Sequence, residues 1–331
     1  MIAPARICGL GVLAVTVGLL AACTGQSAAH QTTPATTVPP SPTANSTSAT
    51  ATVATPGPTS SGPRKGSGAP VHVSLWEGDG QTFGIAMPII AFFSATVTDA
   101  SAFDQVTRVT VNGAPAHGAW YWEPSSRSNE AMEAHYRLTR YWPAHATIRL
   151  SLPTAGLWAG PGRVFGNSLT LTMHTGAAHI VKIDGRPGVD RMVAYSDGKL
   201  VRRVAVSLGA AQTPTYLGTA VALAKSNPQL MVSAPGEPFY SIEVPWSVRM
   251  TYDGEFLHDA YWNNQLGQVN LSHGCTNMSP ADAEWYYHWS LIGDPVTWTN
   301  TGTSKVMPVT DGWGDWNLPF ATYARGGLLA R

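Results

Sequence analysis

The stretch Val106-Thr107-Arg108-Val109-Thr110-Val111-Asn112-Gly113 sets the fold class. Its β-branched residues suit a pleated strand, and Asn-Gly suits a type I′ hairpin turn, where both central residues take positive φ. Outward from it, similar short runs recur at Val71–Trp76, Ile90–Val97, Thr147–Leu152 and Ser168–Met173, separated by Gly, Pro and Asn. Short strands with regular turn punctuation predict a β-sandwich over residues 70–178. Trp120, Trp122, Tyr141 and Trp142 are expected in its core or in an interdomain contact, because large aromatic side chains are mostly buried.

From His179 the strands continue, at Val181–Ile183, Arg191–Tyr195 and Leu200–Leu208, with an Asp197-Gly198 turn between the last two. Further strands are expected at Met231–Ser233, Tyr240–Val244, Ser247–Tyr252 and Phe256–His258. One helix stands out. Ser279 is a good N-cap, Pro280 suits the first helical position, and Asp282 faces the positive end of the helix dipole. Trp285, Trp289 and Ile292 recur at helical spacing, a stripe expected to be core, and Gly293 ends the pattern. The reading is therefore a mainly β chain: a sandwich, a second β-rich domain over 179–300 with a short helix late in it, and an extension over 301–331 packing on that domain.

The 331 residues carry 20 Lys+Arg against 20 Asp+Glu, a formal charge of zero. No basic excess marks a nucleic-acid face, so no nucleic-acid partner is expected. Hydrophobic residues at 44%, including 12 Trp, are ample for a packed core. Met1–Cys23 reads as an export signal: Arg6 precedes an apolar run, Ile7–Ala22, too short to span a bilayer as a helix. The run ends Leu20-Ala21-Ala22-Cys23, which resembles a bacterial lipobox, so Cys23 is the expected site of a lipid anchor. An ordinary cleavage site beside an incidental Cys is the alternative. Residues 24–69 have seven Pro and no Phe, Tyr, Trp, Leu, Ile or Met, and read as a disordered tether. Cys275 is the one cysteine left beyond the signal.

The chemistry concentrates in His258-Asp259-Ala260-Tyr261-Trp262 and Ser272-His273-Gly274-Cys275-Thr276-Asn277. A catalytic thiol needs a base beside it and donors aimed at the developing oxyanion. His273 adjoins Cys275 in sequence, but His258, ending a strand within reach of a hairpin-like return, is the better partner. Gly274 lets backbone approach a substrate closely. On these residues alone, a buried structural Cys explains Cys275 equally well.

The pattern His258, thirteen intervening residues, then Ser272-His273-Gly274-Cys275-x-Asn277 resembles the signature of L,D-transpeptidases of the YkuD type. The likeness extends upstream through Gly209…Thr213-Pro214-Thr215-Tyr216-Leu217-Gly218 and Met250-Thr251-Tyr252-Asp253-Gly254. Downstream it continues through Ser279-Pro280-Ala281-Asp282 to Gly314-Asp315-Trp316-Asn317. With the preceding Ig-like sandwich and the lipobox, it is similar to the actinobacterial lipoprotein members. The resemblance implies 3→3 cross-linking of peptidoglycan stem peptides: Cys275 as nucleophile, His258 as general base and acid, and the Asp259 backbone carbonyl orienting the imidazole. Backbone N–H groups at His273 and Gly274 would serve as oxyanion donors, with Ser272, Asn277 and Tyr240 lining the substrate site. Its implied partners are a donor tetrapeptide stem, an acceptor diaminopimelate amine and acylating carbapenem-type β-lactams. No metal or organic cofactor is implied.

Two positions depart from the family pattern. Thr276 stands where an aliphatic residue is common, and Asp259 puts a carboxylate where it could raise the His258 pKa. Competing readings are weaker on residues. Zinc ligation by His258, His273 and Cys275 lacks a second nearby Cys or a close His pair. A papain-like peptidase has its Cys before its His. An L,D-carboxypeptidase, with water as acceptor, and a non-catalytic wall-binding lipoprotein both stay open.

Overall fold

The computed structural model describes residues 62–330, apart from 187, 190 and 234–238. The expected signal segment, the Cys23 lipidation site and the tether as far as residue 61 lie outside the described residues. The tether does not reach residue 69. Trp158 N–H donates to the Arg64 carbonyl at 2.9 Å, and the Arg64 guanidinium lies 3.6 Å over the Trp158 ring, so the sandwich already begins there.

The Asn112-Gly113 turn has φ of 51° and 84°, and joins antiparallel strands Arg108–Val111 and Ala114–Ala116. The strand starts later than its β-branched run. Val106 instead closes a short helix, Ser101–Val106, which drives Phe103 into the core against Phe93, Trp120, Trp122 and Phe165, with ring centroids 5.2–5.5 Å apart. Burial of that ring outweighs the modest strand preference of one valine. The run Val71–Trp76 also splits. Ala69–Val71 pairs with Arg163–Phe165, and Val73–Leu75 pairs with Ile89–Phe93 in another sheet.

The sandwich core lies between a five-stranded sheet containing Arg108–Val111, Thr147–Leu152 and Leu169–Thr175, and a four-stranded sheet. The latter is ordered Val73–Leu75, Ile89–Phe93, Met132–Arg137, Ala119–Pro124. Trp120, Trp122 and Trp142 are buried. The strand Met132-Glu133-Ala134-His135-Tyr136-Arg137 alternates apolar and polar residues as if one face were wet, yet all six are buried.

The C-terminal extension explains that. It packs on the catalytic domain and contacts the sandwich as well. Met307 N–H donates to the Leu217 carbonyl at 2.9 Å, and Asn317 Oδ1 accepts the Thr219 N–H at 2.7 Å. The chain then crosses the charged face of the sandwich. Arg137 Nη2 donates to the Leu318 carbonyl (2.7 Å), the Tyr323 hydroxyl to the His135 carbonyl (2.7 Å), and Leu328 N–H to the Trp122 carbonyl (2.9 Å).

The second domain holds a five-stranded sheet ordered Lys199–Ala205, Arg191–Ser196, His179–Asp184, Pro295–Thr299, Gly218–Val221. A four-stranded sheet runs Ala224–Ser226, Ser247–Arg249, Phe256–Asp259, Thr276–Met278. The helix is Pro280–Trp289, with Asp282 N–H donating to Ser279 Oγ at 3.2 Å. It stops at Ser290 rather than Gly293, which leaves Ile292 outside it. Its buried face carries Ala283 and Tyr286. Trp285 and Trp289 are half-buried and stack on each other at 5.1 Å, so the tryptophan stripe flanks the core instead of filling it.

Candidate active site

Strand register assembles the site. Phe256–Asp259 and Thr276–Met278 pair in parallel, with His258 opposite Asn277. The return is thus a crossover, not the hairpin-like return expected. Side chains opposite one another in a parallel pair share a face, and residues two apart on one strand share it too. His258 and Asn277 therefore project together, with Cys275 just ahead of the strand on the same side. All three line one cavity of about 350 Å³, with Ser272, His273 and Tyr240 also in its wall. Thr276 points the other way, where its Oγ1 accepts the Trp298 indole N–H at 3.0 Å. That buried donor accounts for a hydroxyl where the family pattern is aliphatic.

The loop before Cys275 is held from several sides. Ser272 Oγ donates to the Cys275 carbonyl at 2.6 Å and accepts the Gly274 N–H at 3.1 Å. The Gly274 N–H, expected as an oxyanion donor, is thus already engaged. Gly274 has φ of 126°, a conformation that side chains disfavour. Thr215 Oγ1 donates to the Gly274 carbonyl at 2.7 Å and accepts the Gly209 N–H at 2.9 Å.

The His258 imidazole is set by Nδ1 donating to the Asp259 carbonyl at 2.6 Å, which leaves Nε2 as the basic nitrogen. Burial pushes its pKa down to about 4, with that backbone bond opposing in part. The expected rise from the Asp259 carboxylate is absent: Asp259 acts through its carbonyl, and its own carboxyl is raised by burial. Burial also pushes the Cys275 thiol up to about 12; Glu255 adds to this, while Phe256 N–H and the Arg249 charge oppose it. At neutral pH the pair is therefore thiol and imidazole, not thiolate and imidazolium.

Tyr240 sits at the end of a hairpin, Gln229–Val232 with Ser241–Val244, that roofs the cavity through Met231, Ile242 and Val244. Its ring lies 5.3 Å from that of His273. Sequence reasoning missed Glu255, Arg249 and the role of Thr215. Glu255 is largely buried behind Gly274, accepts the Tyr216 N–H at 3.3 Å, and has its carboxyl pushed up to about 8 by burial. Only the run Gly209…Thr215 held a signal, as part of the quoted motif.

A half-buried thiol, a neutral imidazole fixed by a carbonyl, and a cavity open to both define a cysteine acyl-transfer site on a β-rich frame. Residues 178–297 match the L,D-transpeptidase catalytic domain (YkuD), and residues 64–158 match a bacterial Ig domain. Probable L,D-transpeptidase 3 of Mycobacterium tuberculosis is 31% identical over 234 residues, covering 66% of this chain and 82% of that protein. L,D-transpeptidase 2 of the same species is 29% identical over 273 residues, covering 79% of this chain and 64% of that protein. A solved L,D-transpeptidase from Mycobacterium smegmatis aligns with a TM-score of 0.56 and 31% identity, over 70% of this chain and all of that one. Another, described in complex with imipenem, aligns at 0.55 and 25% identity, over 72% of this chain and 99% of that one. The chain belongs to the L,D-transpeptidase family, with an Ig-like domain ahead of its YkuD-type catalytic domain.

Proposed function

We propose that the protein is a peptidoglycan L,D-transpeptidase that forms 3→3 cross-links through a Cys275 thioester. The observation that carries this reading is the common face of His258, Cys275 and Asn277 above one cavity, with His258 Nδ1 fixed by the Asp259 carbonyl. Cys275 Sγ attacks the carbonyl of the third stem residue while His258 Nε2 takes the thiol proton. Because both groups rest neutral, proton transfer accompanies attack instead of preceding it. His258 then gives that proton to the leaving amine, the C–N bond breaks, and D-Ala departs. The acceptor diaminopimelate amine attacks the thioester, passes its proton to His258, and frees the thiolate, which regains it.

The His273 and Cys275 N–H groups are the oxyanion donors in this reading, since Ser272 holds that of Gly274. Tyr240 and the hairpin cover the bound stem. Carbapenem-type β-lactams acylate the same sulfur; a related L,D-transpeptidase in complex with imipenem supports this. A lipid anchor at Cys23 and a tether would hold the domains outside the cell membrane, facing the wall.

The test is purified chain with disaccharide-tetrapeptide, read by mass spectrometry beside Cys275→Ala. A dimer lacking one D-Ala, absent from the variant, is the expected product. A tripeptide monomer alone would reassign the protein as an L,D-carboxypeptidase. No product, with stem peptide still bound, would leave a wall-binding lipoprotein.

A further inference from the structure

The strand Met132–Arg137 places Glu133 directly opposite Glu123 of the neighbouring strand, with His135 two residues on. Exposure is 2% at Glu123, 1% at Glu133 and 0% at His135, so two carboxylates face each other out of water. Two carboxylates directly opposite in a sheet repel when both are ionised, and burial magnifies that repulsion. His135 Nε2 lies 3.1 Å from Glu133 Oε1 and 3.5 Å from Glu123 Oε1, yet it carries at most one proton for both. Glu123 Oε2 is buried with no hydrogen-bond partner. Arg137, next along this face, directs its guanidinium to the Leu138 and Leu318 carbonyls.

We propose that Glu123, Glu133 and His135 Nε2 bind a divalent transition-metal ion of the zinc class. The three donor atoms lie within 4.8 Å of one another. Donors around a tetrahedral zinc stand ~3.3 Å apart, between the 3.1 and 3.5 Å separations here. One imidazole with two carboxylates suits zinc or manganese better than calcium or magnesium, which favour oxygen throughout. The surroundings match the way such ligands are oriented. His135 Nδ1 faces Asp315 Oδ2 at 3.1 Å, and Glu133 Oε2 accepts the Ser126 N–H at 2.7 Å. Glu123 Oε2 or a water fills the fourth position. Asp315 also accepts the Tyr323 hydroxyl at 2.9 Å, so the ion fastens the C-terminal extension to the sandwich. None of these residues lines the Cys275 cavity.

The test uses the full chain, stripped with chelator and titrated with Zn2+ alone, then Mn2+ alone. One equivalent should bind and raise the unfolding temperature, equally in Cys275→Ala. Glu123→Gln should abolish binding, and Asp315→Asn should weaken it about 10- to 100-fold. X-ray absorption of zinc-loaded wild type should show nitrogen and oxygen ligands without sulfur, a readout that stands even if Glu123→Gln does not fold. No retained equivalent, a sulfur ligand, or binding that survives Glu123→Gln but not Cys275→Ala would overturn the proposal.

Discussion

The Thr215 hydroxyl donates to the Gly274 carbonyl at 2.7 Å, and so ties the peptide ahead of Cys275 to a loop 59 residues upstream. The same oxygen accepts the Gly209 N–H, which makes one hydroxyl the pin between two backbone segments. Thr215→Val fills the same space but leaves a buried carbonyl and a buried N–H unpaired. We expect a stability loss of about 1–3 kcal/mol, and a fall in kcat/KM of about tenfold or more from a displaced nucleophile. Thr215→Ser, which keeps the hydroxyl, should recover most of both. Denaturant titration and steady-state kinetics on the pair check this; a Val variant as active as wild type would remove the pin.

Thr276 separates stability from chemistry. Its side chain serves the Trp298 indole on the face away from the cavity. Thr276→Val should therefore cost about 1–3 kcal/mol in denaturant titration while changing kcat/KM little once folded. A large loss of activity at unchanged stability would place the hydroxyl in the reaction instead.

The His258 pKa near 4 fixes the acid limb of the rate profile. The base form persists well below the ordinary 6.5, so kcat/KM should hold through pH 5.5 and halve near pH 4. The same shift acts on stability. The folded state resists protonation of His258, so stability present above pH 6.5 is lost as pH falls toward 4, by about 3 kcal/mol. Comparing wild type with His258→Gln isolates that loss from the raised carboxyls, whose effect has the opposite sign. An acid limb at 6.5 would mean that substrate-free His258 is solvated.

Glu255 gives a pH-dependent handle on the thiol. Burial holds its carboxyl near 8, and its charge raises the Cys275 pKa. Above pH 8 the carboxyl ionises and opposes thiolate formation. Glu255→Gln should therefore speed alkylation of Cys275 by iodoacetamide several-fold at pH 9.5, and little at pH 7. Equal acceleration at both values would point to altered access rather than charge.

What could be read from the chain alone follows the range of the interactions concerned. The Asn112-Gly113 turn and the Ser279 cap are local, and both stand where residue chemistry puts them. His258 and Cys275 were legible because a spaced motif carries the outcome of a tertiary arrangement. The strand crossover that joins them was not, because spacing carries no direction. Glu255 and Arg249 gave no signal, since a buried charge is recognised by what surrounds it. Val106 misled because a buried Phe103 outweighs a neighbour's strand preference. The alternation over Met132–Arg137 truly implies a polar face, but what covers that face lies some 180 residues further on.

The extension that lies on the sandwich has a bearing on how the chain is made. Ala119–Pro124 is the outermost strand of its sheet, and Trp122 pairs its backbone with residues 326–328. During synthesis those residues leave the ribosome long after Trp122 does. Until then the nascent sandwich carries an open strand edge and a row of uncovered charges, a template for pairing with another copy. Completion of the first domain thus waits on translation through the second. A chain truncated between them would carry the sandwich without its cover, its outer strand edge still open to pairing with another copy.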